Sequence, residues 1–496
     1  MIKIIILSIN TFFIPIGGNM VFSSTKKQHY FRKSWLFFKL LLLLWMTLSV
    51  SVNSAAANEV LSFERAIKQA QQYDPWLTGN QHKQNSLIAL SRAVNTLPDP
   101  KISLGIANLP TNGFGFSQEA MTQFKLGFTQ VFPRGDTLKI KNQQLKLQSQ
   151  AYPFQRQDRE AKIAVTVGGL WLDAYRIQQS IALIEKNRSL FEQLVDISQA
   201  SYSSALGKTR QQDIVRAQLE LTRLDDQLDK LGQQKNHFEG QLFQWLNSYL
   251  VDDNTNDSSL AITLHDINLG ETLVDIDLLQ PTLINATQWH KSKQLVTYFE
   301  QHPAVMSINQ RIDATKQGID LAQQKYKPEW GVNASYGYRN DDPLGNSRAN
   351  FMSIGVTLDL PLFTENRQDQ EVKSAIAQTE ALKTEKTLLI RRLLGVYSGG
   401  KGRLARLNKR KKLYRNKLLP QTHDQAEAAL MAYTNDDGNF SEVAYARIAV
   451  LNAEIDQLSI EVEQQKVILE LNYLFIGDLS SAQKFNHNNS INGVSK

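Results

Sequence analysis

Four segments of the chain alternate strictly between apolar residues and small or polar ones, and they come in two pairs. The clearest runs from Trp330 to Tyr338, with aromatic or aliphatic residues at even positions and glycine, asparagine or serine at odd ones. This period of two predicts strands at about 100–109, 122–132, 329–338 and 350–360. Each segment has about the ten residues that a tilted strand needs to cross a bilayer. One face is therefore expected to meet lipid and the other a watery lumen, with a soluble β-sandwich as the alternative.

Apolar residues recur at heptad spacing in the segment from Thr209 to Leu250, which predicts a long packed helix. Its seam consists of Ile214, Ala217, Leu221, Leu224, Leu228, Leu231, Phe238, Leu242 and Trp245. The seam of a second such helix consists of Ile448, Leu451, Ile455, Leu458 and Val462. Long helices are predicted at about 138–201, 208–250, 367–432 and 440–475. Interruptions are expected near Pro153, Gly399–Gly402 and Pro420, because proline and glycine disfavour helix interiors.

The strands and helices belong to a unit that the sequence contains twice. Three prolines of the first half recur 228 residues later, and so does a Gly-x-Thr motif. The repeated pairs are Pro75 with Pro303, Pro100 with Pro328, Pro133 with Pro361, Gly127 with Gly355 and Thr129 with Thr357. Tyr202 and Gly207 return as Tyr433 and Gly438 at an offset of 231 residues, which predicts an insertion of three residues. The first repeat is predicted to cover 58–290 and the second 291–476, followed by a disordered tail at 477–496.

The N-terminal segment has the features of a secretory signal peptide. Basic residues precede an apolar run from Leu40 to Val52, and small residues follow at Ala55 and Ala57. We expect a signal peptide at 1–57 with cleavage before Asn58, and an uncleaved anchor is the alternative. An ordinary signal peptide also follows Met20, which is therefore a candidate start.

The charge of the chain depends mainly on this segment. The whole chain has a formal net charge of +7, but six of its basic residues and none of its acidic ones lie within residues 1–57, so the remainder carries +1. A nearly neutral mature chain gives no electrostatic reason to expect nucleic acid as a partner. Cysteine is absent, so neither disulfides nor a cysteine-linked lipid are expected.

No segment contains a recognisable catalytic or metal-binding pattern. Neither GxSxG, HExxH nor a glycine-rich phosphate loop occurs, and no acid pair stands apart from the helix faces. The histidines do not have metal-ligand spacing, and His82, His265, His290, His302 and His423 are expected at the surface. The sequence therefore predicts neither an enzyme, a cofactor nor a metal site.

Taken together, the chain resembles the TolC-type outer membrane factors, the exit ducts of tripartite efflux and secretion systems. The resemblance covers nearly all of 59–476. Its carriers are the duplicated strand–helix unit, the FPRG at 132–135 with its partner LPLF at 360–363, the LLPQ at 418–421 and the two Tyr-x4-Gly turns.

The resemblance implies a mainly α fold with a membrane β-barrel, built from a duplicated β-β-α-α unit. Four strands cannot close a conducting barrel, so several chains must share one. In this family three chains form a homotrimer with a twelve-strand barrel in outer-membrane lipid and a long periplasmic α-helical barrel below it. The partners implied are a periplasmic adaptor and an inner-membrane RND transporter of a Gram-negative bacterium.

The turns between paired helices form the periplasmic tip in this family. By position, Gly207, Lys208, Gly438 and Asn439 are expected to contact the adaptor, and glycine suits a sharp turn because it accepts positive φ. A plain turn without a partner is the alternative.

The resemblance also places the constriction near the tip, with acidic residues six and nine positions after the turn glycines. Asp213 matches the first place in copy one, whereas copy two has Ala444 and Arg447 at the corresponding positions. Arg210, Asp213, Glu442 and Arg447 are the candidate gating residues. An Arg447–Asp213 pair across the closed mouth is a hypothesis.

The cargo is less well defined than the duct. The runs from Leu97 to Pro110 and from Met121 to Leu138 resemble the branch that serves heavy-metal RND pumps, so metal ions are the first expectation. Drug efflux and type I protein secretion stay open. A periplasmic coiled-coil adaptor is a further alternative, although adaptors have one helical hairpin and a lipoyl-like domain.

Overall fold

The fold is taken from a computed structural model, which describes residues 60–203, 210–247, 267–286, 292–435, 437–438 and 440–477. The predicted signal peptide, Met20 and residues 478–496 of the predicted tail lie outside the described residues. The helices are α1 (Phe63–Gln72), α2 (Pro75–Ala93), α3 (Thr137–Ser203), α4 (Gln211–Leu246), α5 (Pro281–Asn285), α6 (Ser292–Glu300), α7 (Pro303–Gln323), α8 (Gln368–Leu413), α9 (Leu419–Thr434) and α10 (Phe440–Tyr473). The strands are β1 (Lys101–Ala107), β2 (Gln123–Phe132), β3 (Glu329–Tyr338) and β4 (Phe351–Asp359).

The four strands form one antiparallel sheet in the order β1-β2-β3-β4. Its register places apolar side chains in rows across all four strands, because side chains alternate between the two faces of a strand. One such row is Ile102, Phe128, Ala334 and Ile354. The neighbouring row, on the other face, is Ser103, Gly127, Ser335 and Ser353. The sheet is therefore mainly apolar on one face, apart from Gln130, and mainly small or polar on the other, apart from Val131 and Phe351.

Glycines on the polar face lie against polar side chains of adjacent strands. A Cβ atom added to Gly127 would overlap the Ser103 hydroxyl, and one added to Gly331 would overlap the Thr357 hydroxyl. Small residues here let the polar side chains lie close over the neighbouring backbone. The polar face can therefore be the concave side of a curved sheet.

The helices are unusually long, and the chain is mainly helical, as the sequence predicts. The helix α3 contains 67 residues, and the helical stretch from 368 to 434 is equally long. The same 231-residue offset relates both ends of these two stretches. The three-residue insertion therefore lies in the connection between β4 and α8, and not within the helices.

Two of the expected helix interruptions are wrong. The helix α3 runs through Pro153 without a break. In the following turn, Arg156 donates to Asn80 and Arg159 pairs with Asp74, so contacts with α2 and its N-terminus offset the roughly 3 kcal/mol that an interior proline costs.

The glycine-rich stretch of the second repeat is also helical. The helix α8 runs through Gly399, Gly400 and Gly402. A Cβ atom at Gly400 would lie 2.8 Å from Cδ2 of Leu471, so this glycine allows α8 to pack closely on α10. The interruption near Pro420 takes another form, because residues Tyr414–Leu418 form a π-helical segment between α8 and α9.

Two layers of packing hold the helices together. The predicted heptad seam of α4 packs on α3, with Ala217 and Leu224 buried beside Phe191 and Leu451. Farther from the turn between α9 and α10, the segment 267–286, which includes α5, and the helix α6 cover one face of α3, α8 and α10. We call residues 267–286 the belt. Hydrogen bonds fix it, since Tyr175 donates to the carbonyl of Glu271 and the Ile276 amide donates to Gln465.

Within the described part of the chain, none of the helices combines the length and the apolar character that a membrane-spanning helix needs.

Candidate functional site

The apolar face of the sheet is exposed in the single chain. Ile102, Ile354 and Met352 are 72%, 71% and 73% exposed, and the aromatic residues Trp330 and Tyr338 are about half exposed near opposite ends of β3. Burying such a face would remove a large apolar area from water at about 25 cal/mol per Å². None of the residues that the structure describes covers it, so the face is complementary to lipid or to an apolar partner.

The long helices are arranged side by side in the order α4, α3, α10 and then α8 with α9. Ion pairs connect neighbouring helices: Arg188 of α3 binds Asp225 of α4, and Lys466 of α10 binds Asp173 of α3. The helices α4 and α8–α9 form the two edges of this array. An array with two open edges can be extended by further copies of itself.

The N-terminal end of α4 contains the predicted gating residue Asp213. Its carboxylate accepts a hydrogen bond of 3.0 Å from the backbone N–H of Arg210, and the residue is only 6% exposed. A carboxylate in the first helical turn satisfies a free N–H group and is favoured by the helix dipole. In the single chain Asp213 therefore caps α4, while the side chain of Arg210 is exposed.

The second turn lies between α9 and α10. Of the predicted adaptor-contacting residues only Gly438 belongs to the described ranges, because Gly207, Lys208 and Asn439 lie outside them. Gly438 does not have positive φ, so the expected reason for this glycine is wrong. A Cβ atom would lie 2.5 Å from the backbone nitrogen of Tyr433, and this close approach to the end of α9 is what requires glycine.

The other two candidates lie in the first turns of α10. Glu442 is exposed, and Arg447 is partly buried. Neither forms an ion pair with a residue in the described part of the chain, so Asp213 and Arg447 are not paired here. Their pairing between chains stays a hypothesis.

Sequence reasoning missed Arg216, which connects the two repeats. Its guanidinium donates to the hydroxyl of Ser441 at 2.5 Å, from α4 to the start of α10. The 231-residue offset that relates the two turns also relates Arg216 to Arg447. The signal was therefore in the sequence: each repeat has an arginine nine residues after its turn glycine.

Among the described residues, one histidine is not where the sequence placed it, and His265 and His290 lie outside the described ranges. His302 is fully buried, whereas a surface position was expected. Its Nδ1 accepts from the Ala304 amide at the start of α7, and its Nε2 lies 3.1 Å from the Tyr473 carbonyl oxygen. Burial lowers the pKa of His302, and the Asp158 carboxylate partly opposes this effect. The neutral imidazole thus acts as a helix cap. Among the residues that the structure describes, no group of three or more His, Asp or Glu could hold a metal ion.

Comparison with known proteins identifies the fold. No family model matches the chain, and no curated protein matches it. Among solved structures, the chain is similar to the CmeC outer membrane channel of Campylobacter jejuni, with a TM-score of 0.65 and 13% identity over 84% of this chain and 85% of that chain.

Two further structures show the same likeness. The outer membrane protein VceC of Vibrio cholerae matches with a TM-score of 0.64 and 13% identity, over 84% of this chain and 95% of that one. The open state of the MtrE outer membrane channel of Neisseria gonorrhoeae matches with a TM-score of 0.62 and 12% identity, over 84% and 88%. Each likeness covers 84% of this chain, so this chain has the fold of the TolC-type outer membrane channels.

Proposed function

We propose that this chain is a subunit of an outer membrane channel, the passive exit duct of a tripartite efflux system and not an enzyme. The observation that carries the proposal is the four-stranded sheet with one apolar face exposed and one small, polar face, joined to helices far longer than a globular core requires. Lipid satisfies the first face and a water-filled lumen the second. The fold shared with outer membrane channels supports an outer membrane location in a Gram-negative bacterium.

Closure requires more than one copy. The sheet has two open edges at β1 and β4, and unpaired strand edges are not stable in a bilayer. Three copies supply twelve strands and complete a barrel of useful width. The helix array also has two open edges, so the same threefold arrangement closes a periplasmic α-helical barrel. We infer a homotrimer on both grounds.

The two halves of the chain are copies of one unit. The order strand–strand–long helix–long helix occurs twice, and the first long helical stretch has 67 residues in both cases. Duplication accounts for the equal lengths, the shared offset of the turns and the two corresponding arginines.

The helical turns are the proposed contact for a periplasmic adaptor, which connects the duct to an inner-membrane RND transporter. Gly207, Lys208, Gly438 and Asn439 are the candidate contacts. For the cargo, resemblance favours heavy-metal ions, with drug efflux and protein secretion as alternatives.

Fractionation and conductance measurements test the proposal together. The full-length chain is expected in the outer-membrane fraction, extractable only with detergent, as a trimer that conducts in planar bilayers. Recovery as a soluble periplasmic monomer would instead identify an adaptor-like protein. A trimer that never conducts, even with the tip variants described below, would contradict a duct.

A further inference from the structure

The second repeat contains a long basic stretch. Between Glu385 and Asp424 there are twelve lysines and arginines and not one acidic residue. Most of this stretch lies on α8, whose partner α10 has acidic side chains along the same length. The positive charge is therefore confined to one helix of the pair, and its arrangement around that helix decides what it can do.

Part of this charge forms a stripe along α8. The stripe consists of Arg392, Val396, Gly399, Arg403, Arg406 and Arg410, whose spacing alternates between four and three residues. Residues at this spacing share one helix face. All six positions are exposed, and a Cβ atom at Gly399 would meet open space. Over 18 residues the stripe extends about 27 Å along the helix.

The opposite face of α8 is packed under the belt. Tyr397 and Lys401 both donate hydrogen bonds to the carbonyl of Leu283 in α5, and both are buried. The belt and its helices must lie on the outer wall of the tube, because on the inner wall they would fill the duct. The arginine stripe, on the far side of α8, therefore faces the lumen.

The helix α10 divides in the same way. Gln465 bonds to the belt through Ile276, whereas Glu463 and Glu470 lie on the far side of the helix and pair with Arg403. Asp456 continues this acidic row one heptad nearer the tip. Basic and acidic rows thus share the inner wall.

The acidic row does not neutralise the basic one. Arg403 is paired at 2.8 Å with Glu470, but Arg392, Arg406 and Arg410 form no ion pair with any residue in the described ranges. Arg410 shares a cavity with Asp173, Asp456 and Glu463. Of these, Asp173 is bound to Lys466 at 2.7 Å, and Asp456 accepts a hydrogen bond from Tyr414.

Basic residues outnumber acidic ones on this inner surface. The basic residues are Arg176, Arg392, Arg403, Arg406, Arg410 and Lys466, and the acidic ones are Asp173, Asp456, Glu463 and Glu470. By helical spacing, the part of α4 at the same height contributes Gln233, His237 and Gln244 to its side away from the belt, and none of these residues is acidic. Each chain therefore adds net positive charge to the wall.

We propose that this stripe forms a cationic band around the lumen, which favours anionic solutes and disfavours free metal cations. The inference rests on the proposed duct function and deepens it by naming the charge of the cargo. A guanidinium binds carboxylate, phosphate and sulfonate groups through two parallel hydrogen bonds, so solutes with such groups are the fitting class. Three chains contribute nine arginines that form no ion pair within the described residues, over the same 27 Å.

Ion selectivity in planar bilayers tests the band directly. With a potassium chloride gradient at 0.1 M, the parent channel is expected to be more permeable to chloride than to potassium. The double variant Arg392→Glu/Arg410→Glu is expected to reverse this preference. Raising the salt to 1 M should bring the permeability ratio toward one, because the screening length falls from about 10 Å to about 3 Å.

A matched control separates the lumen from the outer wall. Lys412 and Arg415 are exposed, and helical spacing places them on the side of the helix opposite the stripe. Lys412→Glu/Arg415→Glu therefore makes the same change in charge on the other side. It is expected to leave the permeability ratio as in the parent. An equal effect of both double variants would overturn the assignment of the stripe to the lumen.

A second measurement does not depend on an open channel. Because the chain has no cysteine, Val396→Cys introduces a single thiol within the stripe. In the detergent-solubilised trimer, a thiosulfonate reagent with a sulfonate group should modify it faster than one with a trimethylammonium group. We expect the rate with the sulfonate reagent, divided by the rate with the ammonium reagent, to be at least roughly threefold higher than for free cysteine, because positive charges lie one helical turn away. In the Arg392→Glu/Arg410→Glu background, this ratio should fall below that of free cysteine.

The outcomes distinguish the two proposals. A trimer that conducts but prefers potassium, or a thiol at position 396 that prefers the ammonium reagent, would overturn the cationic band and leave the duct intact. A trimer that does not conduct, either as the parent or with the Asp213 and Arg447 substitutions described in the Discussion, would overturn the proposed duct function. If the thiol reacts with neither reagent, another protein surface covers the stripe, and the band is overturned as well.

Discussion

The orientation of the sheet in the membrane can be tested by placing one charge on either face. Ile354 and Ser353 are adjacent in β4, and they belong to the apolar and the polar row. Ile354→Lys and Ser353→Lys therefore introduce the same side chain one position apart, on opposite sides of the sheet. In a half-exposed strand in water, the two substitutions would differ little.

The membrane makes the expected costs very different. Ile354 is 71% exposed in the single chain, so few contacts within the chain are lost, and a surface substitution of this kind usually changes stability by less than about 0.5 kcal/mol. The position lies near the middle of a nine-residue strand and so near the bilayer midplane. A lysine facing lipid there costs about 2–4 kcal/mol per chain. Three chains would lose about 6–12 kcal/mol, which is comparable with the whole stability of a typical domain.

Stability of the trimer in lipid vesicles is the appropriate assay. We expect Ile354→Lys to lower the urea midpoint of trimer dissociation strongly and to reduce the amount of trimer in the outer membrane. Ser353→Lys should leave both near the parent values, since its amine would lie in the water-filled lumen. Equal losses in the two variants, or a larger loss for Ser353→Lys, would refute the assignment of faces.

Three further predictions concern the helical body. Because burial lowers the pKa of His302, its contribution to stability is present above pH 6.5 and is lost as the pH falls below that value; the loss is at most about 1.4 kcal/mol at pH 5.5. The pH dependence of thermal unfolding should show this loss, and it should be smaller in His302→Asn, which keeps a capping side chain. Gly400→Val should cost about 1–3 kcal/mol by overpacking against Leu471, whereas Gly399→Ala meets open space and should be neutral or slightly stabilising in urea unfolding. Asp213→Ala and Arg447→Ala should increase conductance if the two residues close the mouth, and Asp213→Asn, which keeps the cap without the charge, should do the same; conductance equal to the parent in all three would exclude the latch.

The sequence was most informative where one periodicity governed a whole element. The period of two from Trp330 to Tyr338 predicts β3, because alternate residues of a strand lie on opposite faces of the sheet and these two faces differ in polarity. The heptad seam likewise predicts α4, because its residues from Ala217 to Trp245 belong to apolar clusters that α4 shares with α3.

Local rules failed where a contact from elsewhere in the chain decided the outcome. Pro153 does not break α3, since the adjacent turns are tied to α2. Gly400 lies within a helix because Leu471 leaves no space for a larger side chain. His302 is buried by Tyr473, which is 171 residues away. None of these partners could be inferred from neighbouring residues.

The candidate site was predictable only in part, for a related reason. The resemblance named Asp213 as a gating candidate, which stays a prediction, whereas its role as a helix cap depends on the Arg210 amide and is visible only in the structure. The arginine stripe is visible in the sequence as a basic run, yet the run has residues on every side of the helix. Only the contacts with the belt show which of its arginines lie on the opposite side of the helix.

The π-helical segment at Tyr414–Leu418 determines the direction in which the side chains of α9 point around the helix axis. A π turn takes up about one residue more than an α turn, which rotates the following side chains by about 100° around the helix axis. The helix α9 therefore turns a different face toward its neighbours than a regular α-helical continuation of α8 would. Deleting a single residue here would restore a regular helix of nearly unchanged length, but it would rotate the side chains of α9 away from their present contacts with α10. Where helices pack side by side, the rotation of each helix about its own axis therefore matters as much for packing as its length.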